Sequence, residues 1–204
     1  MNKKKIKKFL SEIQMLKRVK HEGVKLAGVE NPDSIAEHAC LSAQIAFLLA
    51  SIEGADAVKC VLMNLFHDNE EARIGDHHKV SARYLDVRDA EKKAEKEHFN
   101  NLPEPIGKAI FELQEEKRRR NTKEGIIAQD ADWLEVALQA KIYSELGYKG
   151  CKDWIDNVNR ALETESAKEI LAEIKKEPDF LNCWWKGLKK MTYKKLKDQQ
   201  FKNK

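Results

Sequence analysis

The chain has 204 residues, 42% of them hydrophobic and 35% charged, with only 9 Gly and 4 Pro. This composition excludes a disordered, collagenous or Gly-rich linker protein, and a chain of this size buries roughly 70% of its unfolded surface without needing a covalent staple. The net charge of +4 is unevenly spread: residues 1–8 and 186–204 together carry +12 and the body between them −8, so no nucleic-acid groove is expected and the basic ends read as solvated termini.

Taken in order, every element reads helical, and no segment alternates apolar and polar residues long enough for a strand. Ile6, Phe9, Leu10, Ile13, Leu16 and Val19 recur at three-to-four spacing and form one face of a first helix. A loop over 21–33 follows, with Gly23, Gly28 and Pro32. Ser34-Ile35-Ala36-Glu37 is a capping box that opens a second helix, carried by Leu41, Ile45, Leu48 and Leu49 to Gly54. A third helix over 56–67 is apolar nearly all round (Val58, Val61, Leu62, Leu65, Phe66) and is expected to be the central buried one.

The pattern then breaks into His67-Asp68-Asn69-Glu70-Glu71 and Gly75-Asp76-His77-His78. A charged amphipathic segment spans 81–100. Pro103 and Pro105 open a helix that ends in the run Lys117–Arg120, and Thr122 starts a long one to Gly147. Helices near 151–162 and 166–176 and one after Pro178 complete a single all-α domain without internal repeats. The longest uninterrupted apolar run, Ile45–Ala50, is too short to span a bilayer, so no membrane segment is expected. Cys40, Cys60, Cys151 and Cys183 lie singly, as expected of reduced thiols in a cytoplasmic protein.

His67-Asp68 alone is a weak signal, but its position is informative. An aspartate at the end of the most apolar helix must be paired, hydrogen-bonded or bound to a metal. His38 in the first turn of one apolar helix and Asp132 inside another repeat the anomaly. Singly, each fits a satisfied core histidine or a capping aspartate. Together, two imidazoles and two carboxylates on three hydrophobic helices suit a borderline divalent ion such as Mn²⁺, Fe²⁺, Co²⁺, Ni²⁺ or Zn²⁺.

The order His38 … His67-Asp68 … Asp132 resembles the H…HD…D pattern of the HD-domain metal-dependent phosphohydrolases. Leu16-Lys17-Arg18-Val19, Ser34–His38, His67–Glu71 with Gly75-Asp76, and Asp132-Trp133-Leu134-Glu135 extend the likeness to the 5′-deoxynucleotidase branch over roughly residues 9–175. The resemblance implies an HD-domain helical bundle over 9–176, with a basic extension at 1–8 and a C-terminal helix with a basic tail at 177–204. It also implies a divalent metal cofactor (Mn, Co, Fe, Ni, Zn or Mg) held by His38, His67, Asp68 and Asp132. The substrate implied is a small nucleotide or phosphate ester, gripped by Arg18 through its planar guanidinium. Glu71 would orient the attacking water and Asp76 would act as general acid or base, and the two roles can be exchanged. Glu135 is expected to support the ligands, Asp130 to be a salt-bridge partner on another face, and His77 and His78 to lie at the surface.

Two departures stand out. His77-His78-Lys79-Val80 replaces the hydrophobic-proline sequence common in the nucleotidases, and Ala128 or Gln129 stands where relatives often carry Lys. A homodimer is implied by the resemblance and fits the aromatic segment Phe180–Trp185. Cyclic or polyphosphorylated nucleotides or a non-nucleotide phosphate are alternative substrates, and a non-catalytic metal-binding scaffold is a third reading.

Overall fold

The computed structural model describes residues 2–188; the basic tail expected at 189–204 lies outside the described residues. The helices are α1 (Lys3–Glu12), α2 (Ile35–Glu53), α3 (Ala57–Leu65), α4 (Glu71–Ile74), α5 (Val87–Phe99), α6 (Glu104–Arg119), α7 (Lys123–Glu145), α8 (Lys152–Ala161), α9 (Glu165–Lys176) and α10 (Phe180–Lys186). Among the described residues there is no strand, and one isolated bridge joins Lys20 to Ser34. The fold is all-α, as the hydrophobic periodicity requires.

Local signals in the sequence set most helix starts. The Ser34 side chain accepts from the Glu37 amide while the Glu37 carboxylate accepts from the Ser34 amide, so α2 begins three residues before His38. Asp56 and Thr122 cap α3 and α7 by accepting amide hydrogens one turn in. The first apolar stripe does not stay α-helical to Val19: α1 stops at Glu12 and tightens into a 3₁₀ turn over Ile13–Lys17.

The third predicted helix is not the centre of the molecule. Ile127, Ala131, Ala137 and Ala140 of α7 are fully buried, packed with Ala46 and Leu49 of α2, Cys60 of α3, Ile155 of α8 and Leu171 of α9. On α3, Val58 and Leu65 are instead exposed, beside Leu41, Phe47, Leu48 and Ile52 of α2. Apolar composition shows that a face avoids water but not which neighbour covers it. α2 is also long and apolar enough to cross a membrane by length and composition, with a mean hydropathy of 1.5. Here it packs against α3 and α7 as a core helix. A smaller cluster of Phe9, Phe99 and Ile110 ties α1, α5 and α6 together.

Asp130 corrects an expectation. Among the described residues it makes no salt bridge; it is buried, and its carboxylate accepts from the Glu163 and Thr164 amides and the Thr164 hydroxyl at 2.7–3.1 Å. It therefore holds the α8–α9 connection, satisfying amides at the start of α9 that have no partner within the helix.

Candidate metal centre

His38, at the start of α2, and His67, just past the end of α3, meet in the space beside α7. The His38 Nδ1 is 2.5 Å from the Glu135 carboxylate of α7, and the His67 Nδ1 is 2.7 Å from the Asn64 carbonyl of α3. Both partners accept, so each Nδ1 carries the hydrogen and each Nε2 is turned inward. The two Nε2 atoms are 3.2 Å apart. The Asp132 Oδ1 lies 3.2 Å from one and 3.6 Å from the other, and the Asp68 Oδ2 2.9 Å from His67 and 3.7 Å from His38. The donor atoms of His38, His67 and Asp132 all lie within 4.8 Å of one another. Asp68 approaches from the His67 side.

Four acceptor atoms thus converge with no built-in donor between them. Neighbouring ligands of one ion at about 2.1 Å are separated by roughly 3.0–3.4 Å, and the separations here, 2.9–3.7 Å, bracket that spacing. The residues fit a divalent ion.

Without an ion, protons take its place. Burial opposes charge on His38, but hydrogen bonds to Asp132 and Glu135 outweigh it and raise its pKa well above the usual imidazole range. Burial likewise opposes charge on His67, and the neighbouring Asp68 carboxylate turns the balance upward. Asp132 is held well below the usual carboxylate range: the Lys117 charge and the two histidines overcome its burial. Metal binding here must release protons.

Glu71 opens α4, with one carboxylate oxygen buried and unpartnered. Burial, followed by the charges of Asp68 and Asp76, pushes its pKa well above the ordinary value. Gly75 ends this turn at φ 76° and ψ 167°, a conformation essentially confined to glycine. That bend aims Asp76 at the preceding loop, where its carboxylate accepts from the Glu22 amide at 2.6 Å. Arg18 follows the 3₁₀ turn that packs on α2 and α4. It is exposed, and the one hydrogen-bond contact of its guanidinium among the described residues is the Met15 sulfur at 3.9 Å. Arg18 is not in contact with the four converging side chains. His77 and His78 are half-buried, and the His78 ring accepts from the Ser81 amide.

Two residues escaped the sequence reading. His21 packs edge-on against His38 with ring centroids 4.7 Å apart, its Nδ1 3.1 Å from Asp33, which in turn accepts from the Tyr143 hydroxyl. Its position directly after Arg18-Val19-Lys20 was the available signal. Lys117 is buried, and its ammonium donates to the Asp132 Oδ2 at 2.8 Å. Gln129, one turn before Asp132, donates to the same oxygen at 2.9 Å.

The HD domain family model matches residues 13–175. The human protein named 5′-deoxynucleotidase HDDC2 is 26% identical over 172 residues, covering 83% of this chain and 84% of its own length. The Dictyostelium discoideum protein of the same name is 32% identical over 140 residues, covering 64% and 73%. A conserved hypothetical protein from Pyrococcus furiosus superposes with a TM-score of 0.70 at 30% identity, over 83% of this chain and 99% of that one. A predicted metal-dependent phosphohydrolase from Magnetospirillum magnetotacticum, at 23% identity and a TM-score of 0.69 over 84% and 90%, shares the fold.

Proposed function

Because this chain belongs to the HD domain family, we propose that it is a metal-dependent phosphohydrolase that removes the 5′-phosphate from nucleoside monophosphates, preferably deoxy. The observation that carries the reading is the convergence of His38, His67 and Asp132, whose ligand atoms lie within 4.8 Å of one another, with Asp68 2.9 Å from His67. The substrate class rests on the relatives named 5′-deoxynucleotidase, which match over most of this chain.

In this reading His38 Nε2, His67 Nε2, one oxygen of Asp68 and Oδ1 of Asp132 hold the ion, and Glu135 and the Asn64 carbonyl fix the two rings. The bound ion supplies positive charge for the phosphoryl oxygens and acidifies a water. Arg18, free of carboxylate partners among the described residues, grips two phosphate oxygens. Glu71 orients the attacking water and accepts its proton, its basicity raised by burial and by the Asp68 and Asp76 charges. Asp76, anchored on the Glu22 amide, faces the loop that carries His21 and would pass to the leaving 5′ oxygen the proton that Glu71 takes from the water.

The test is a panel of nucleoside monophosphates, cyclic and polyphosphorylated nucleotides and sugar phosphates, assayed with Mn²⁺, Co²⁺, Fe²⁺, Ni²⁺, Zn²⁺ and Mg²⁺. Phosphate release fastest from deoxynucleoside 5′-monophosphates supports the reading. No release from any monophosphate with any ion contradicts it.

The chain is also proposed to form a homodimer. Exposed apolar side chains on α2 (Leu48, Ile52) and α3 (Val58, Leu65) support a second copy, as does the exposed Trp184 of α10. A clean monomer in sedimentation at micromolar concentration removes this proposal.

A further inference from the structure

Lys117 sits on the buried side of α6, on the row Gly107, Ile110, Gln114 and Lys117. Gly107 and Ile110 pack towards Phe99 of α5, while Gln114 and Lys117 reach α3 and α7. The spacing is that of one helix face, so the lysine occupies a core position. A lysine is almost never fully buried unless paired, because desolvating an ammonium costs far more than its stem gains by packing. Its one polar partner among the described residues is the Asp132 Oδ2. One turn before it on the same face, the Gln114 amide donates to the Met63 carbonyl of α3 at 3.0 Å.

The consequence is that the two oxygens of Asp132 are made different. Oδ2 receives two donors, Lys117 and Gln129. Oδ1 receives neither, and faces the Nε2 atoms of His38 and His67. We infer that Lys117 is a positioning residue which holds Oδ2 away from the metal point and presents Oδ1 as the sole oxygen that Asp132 offers to the ion. The inference rests on the metal-site reading above and adds to it a residue from a helix that contributes no ligand.

Two effects of Lys117 oppose each other, and the sign of the result tells them apart. Orientation of a ligand by an outer hydrogen bond favours metal binding, typically by 10- to 100-fold. A positive charge behind the carboxylate repels a cation and acts the other way. If orientation is the role, removing the lysine weakens binding; if charge alone matters, removing it tightens binding.

The experiment titrates metal-free wild type, Lys117→Met and Lys117→Arg with Co²⁺, reading heat and the visible absorption of the bound cobalt, with circular dichroism to check the fold. Expected are a 10- to 100-fold weaker Co²⁺ affinity in Lys117→Met, weaker visible bands as Asp132 turns both oxygens to the ion and raises the coordination number, and recovery in Lys117→Arg to within about tenfold of wild type. A Lys117→Met protein that binds Co²⁺ as tightly as wild type, or tighter, overturns the positioning role while leaving the metal site intact. A wild type that binds neither Co²⁺ nor Mn²⁺ overturns the metal-site reading itself, and the role of Lys117 falls with it. Lys117→Gln, which keeps a donor on a shorter stem, serves if the Met variant unfolds; it too must lose affinity, and unchanged affinity overturns the inference.

Discussion

On the helical side of the site, His38, His67 and Asp132 are each held by a second contact: Glu135, the Asn64 carbonyl and the pair Lys117 and Gln129. On the loop side, Arg18 touches one sulfur, Asp76 hangs from one backbone amide, and His77 and His78 lie half-buried in a segment without regular helix. The difference follows from what each side has to do. Ligands from separate helices meet at one point only if rigid elements hold them, so their positions are fixed by packing before any ion arrives. A substrate must enter and leave, so its contacts stand on turns with few partners of their own. The contrast predicts that changes on the helical side act on metal content, and changes on the loop side act on turnover at constant metal content.

The largest effect is expected from Asp68→Ala. It should abolish metal retention and cut phosphate release by about 10³-fold or more while the helical circular dichroism persists, since losing a ligand opens the site without opening the core. Stoichiometric metal at wild-type affinity in this variant would break the ligand set. Glu71→Ala comes next, with kcat lowered by roughly 10²- to 10⁴-fold and metal content unchanged, because proton handling matters most in the transition state. Arg18→Ala should cost about 2–3 kcal/mol, or roughly 30- to 150-fold in kcat/KM, again with full metal occupancy. Wild-type kinetics in both of these variants would sink the assignment of the loop side.

Asp130→Ala sharpens the comparison from within α7. It stands two residues from Asp132 but serves the α8–α9 connection, so it should lower unfolding stability by about 2–3 kcal/mol in denaturant titration and leave metal affinity alone. The smallest effect is a pH dependence. The raised pKa values of His38 and His67 in the metal-free protein mean that the folded state binds protons more tightly than the unfolded chain. The stability they contribute is complete below about pH 6.5 and is lost as pH rises through the raised values. Thermal unfolding of metal-free protein should therefore shift down by a few degrees from pH 6 to pH 8, and saturating metal should remove the trend. A metal-free Tm that rises over this interval would contradict the proton-filled site.

Much of this was legible in the sequence because its signals were local. The capping box at Ser34, the run His67-Asp68 and the apolar surroundings of Asp132 each lie within one helical turn. What escaped depended on neighbours distant in the chain. Lys117 stands in a run of basic residues at a helix end and reads as solvated; only its phase with Ile110 and Gln114 marks it as inward, and only α7 supplies its partner. Asp130 was misread because its partners, the Glu163 and Thr164 amides, come from a connection more than thirty residues away. The apolar composition of α3 was correctly noticed and wrongly placed, since Val58 and Leu65 face outward. His21 gave no periodic signal, being brought to His38 by a loop tied to α2 through the Val19 carbonyl and the Ile35 amide.

The most direct measurement is an anomalous difference map from crystals grown with Mn²⁺. A single strong peak is expected, at about 2.0–2.3 Å from His38 Nε2, His67 Nε2, one oxygen of Asp68 and the Oδ1 of Asp132. A peak elsewhere in the molecule, a peak that leaves Asp68 outside its ligand sphere, or no peak at saturating Mn²⁺ would contradict the account.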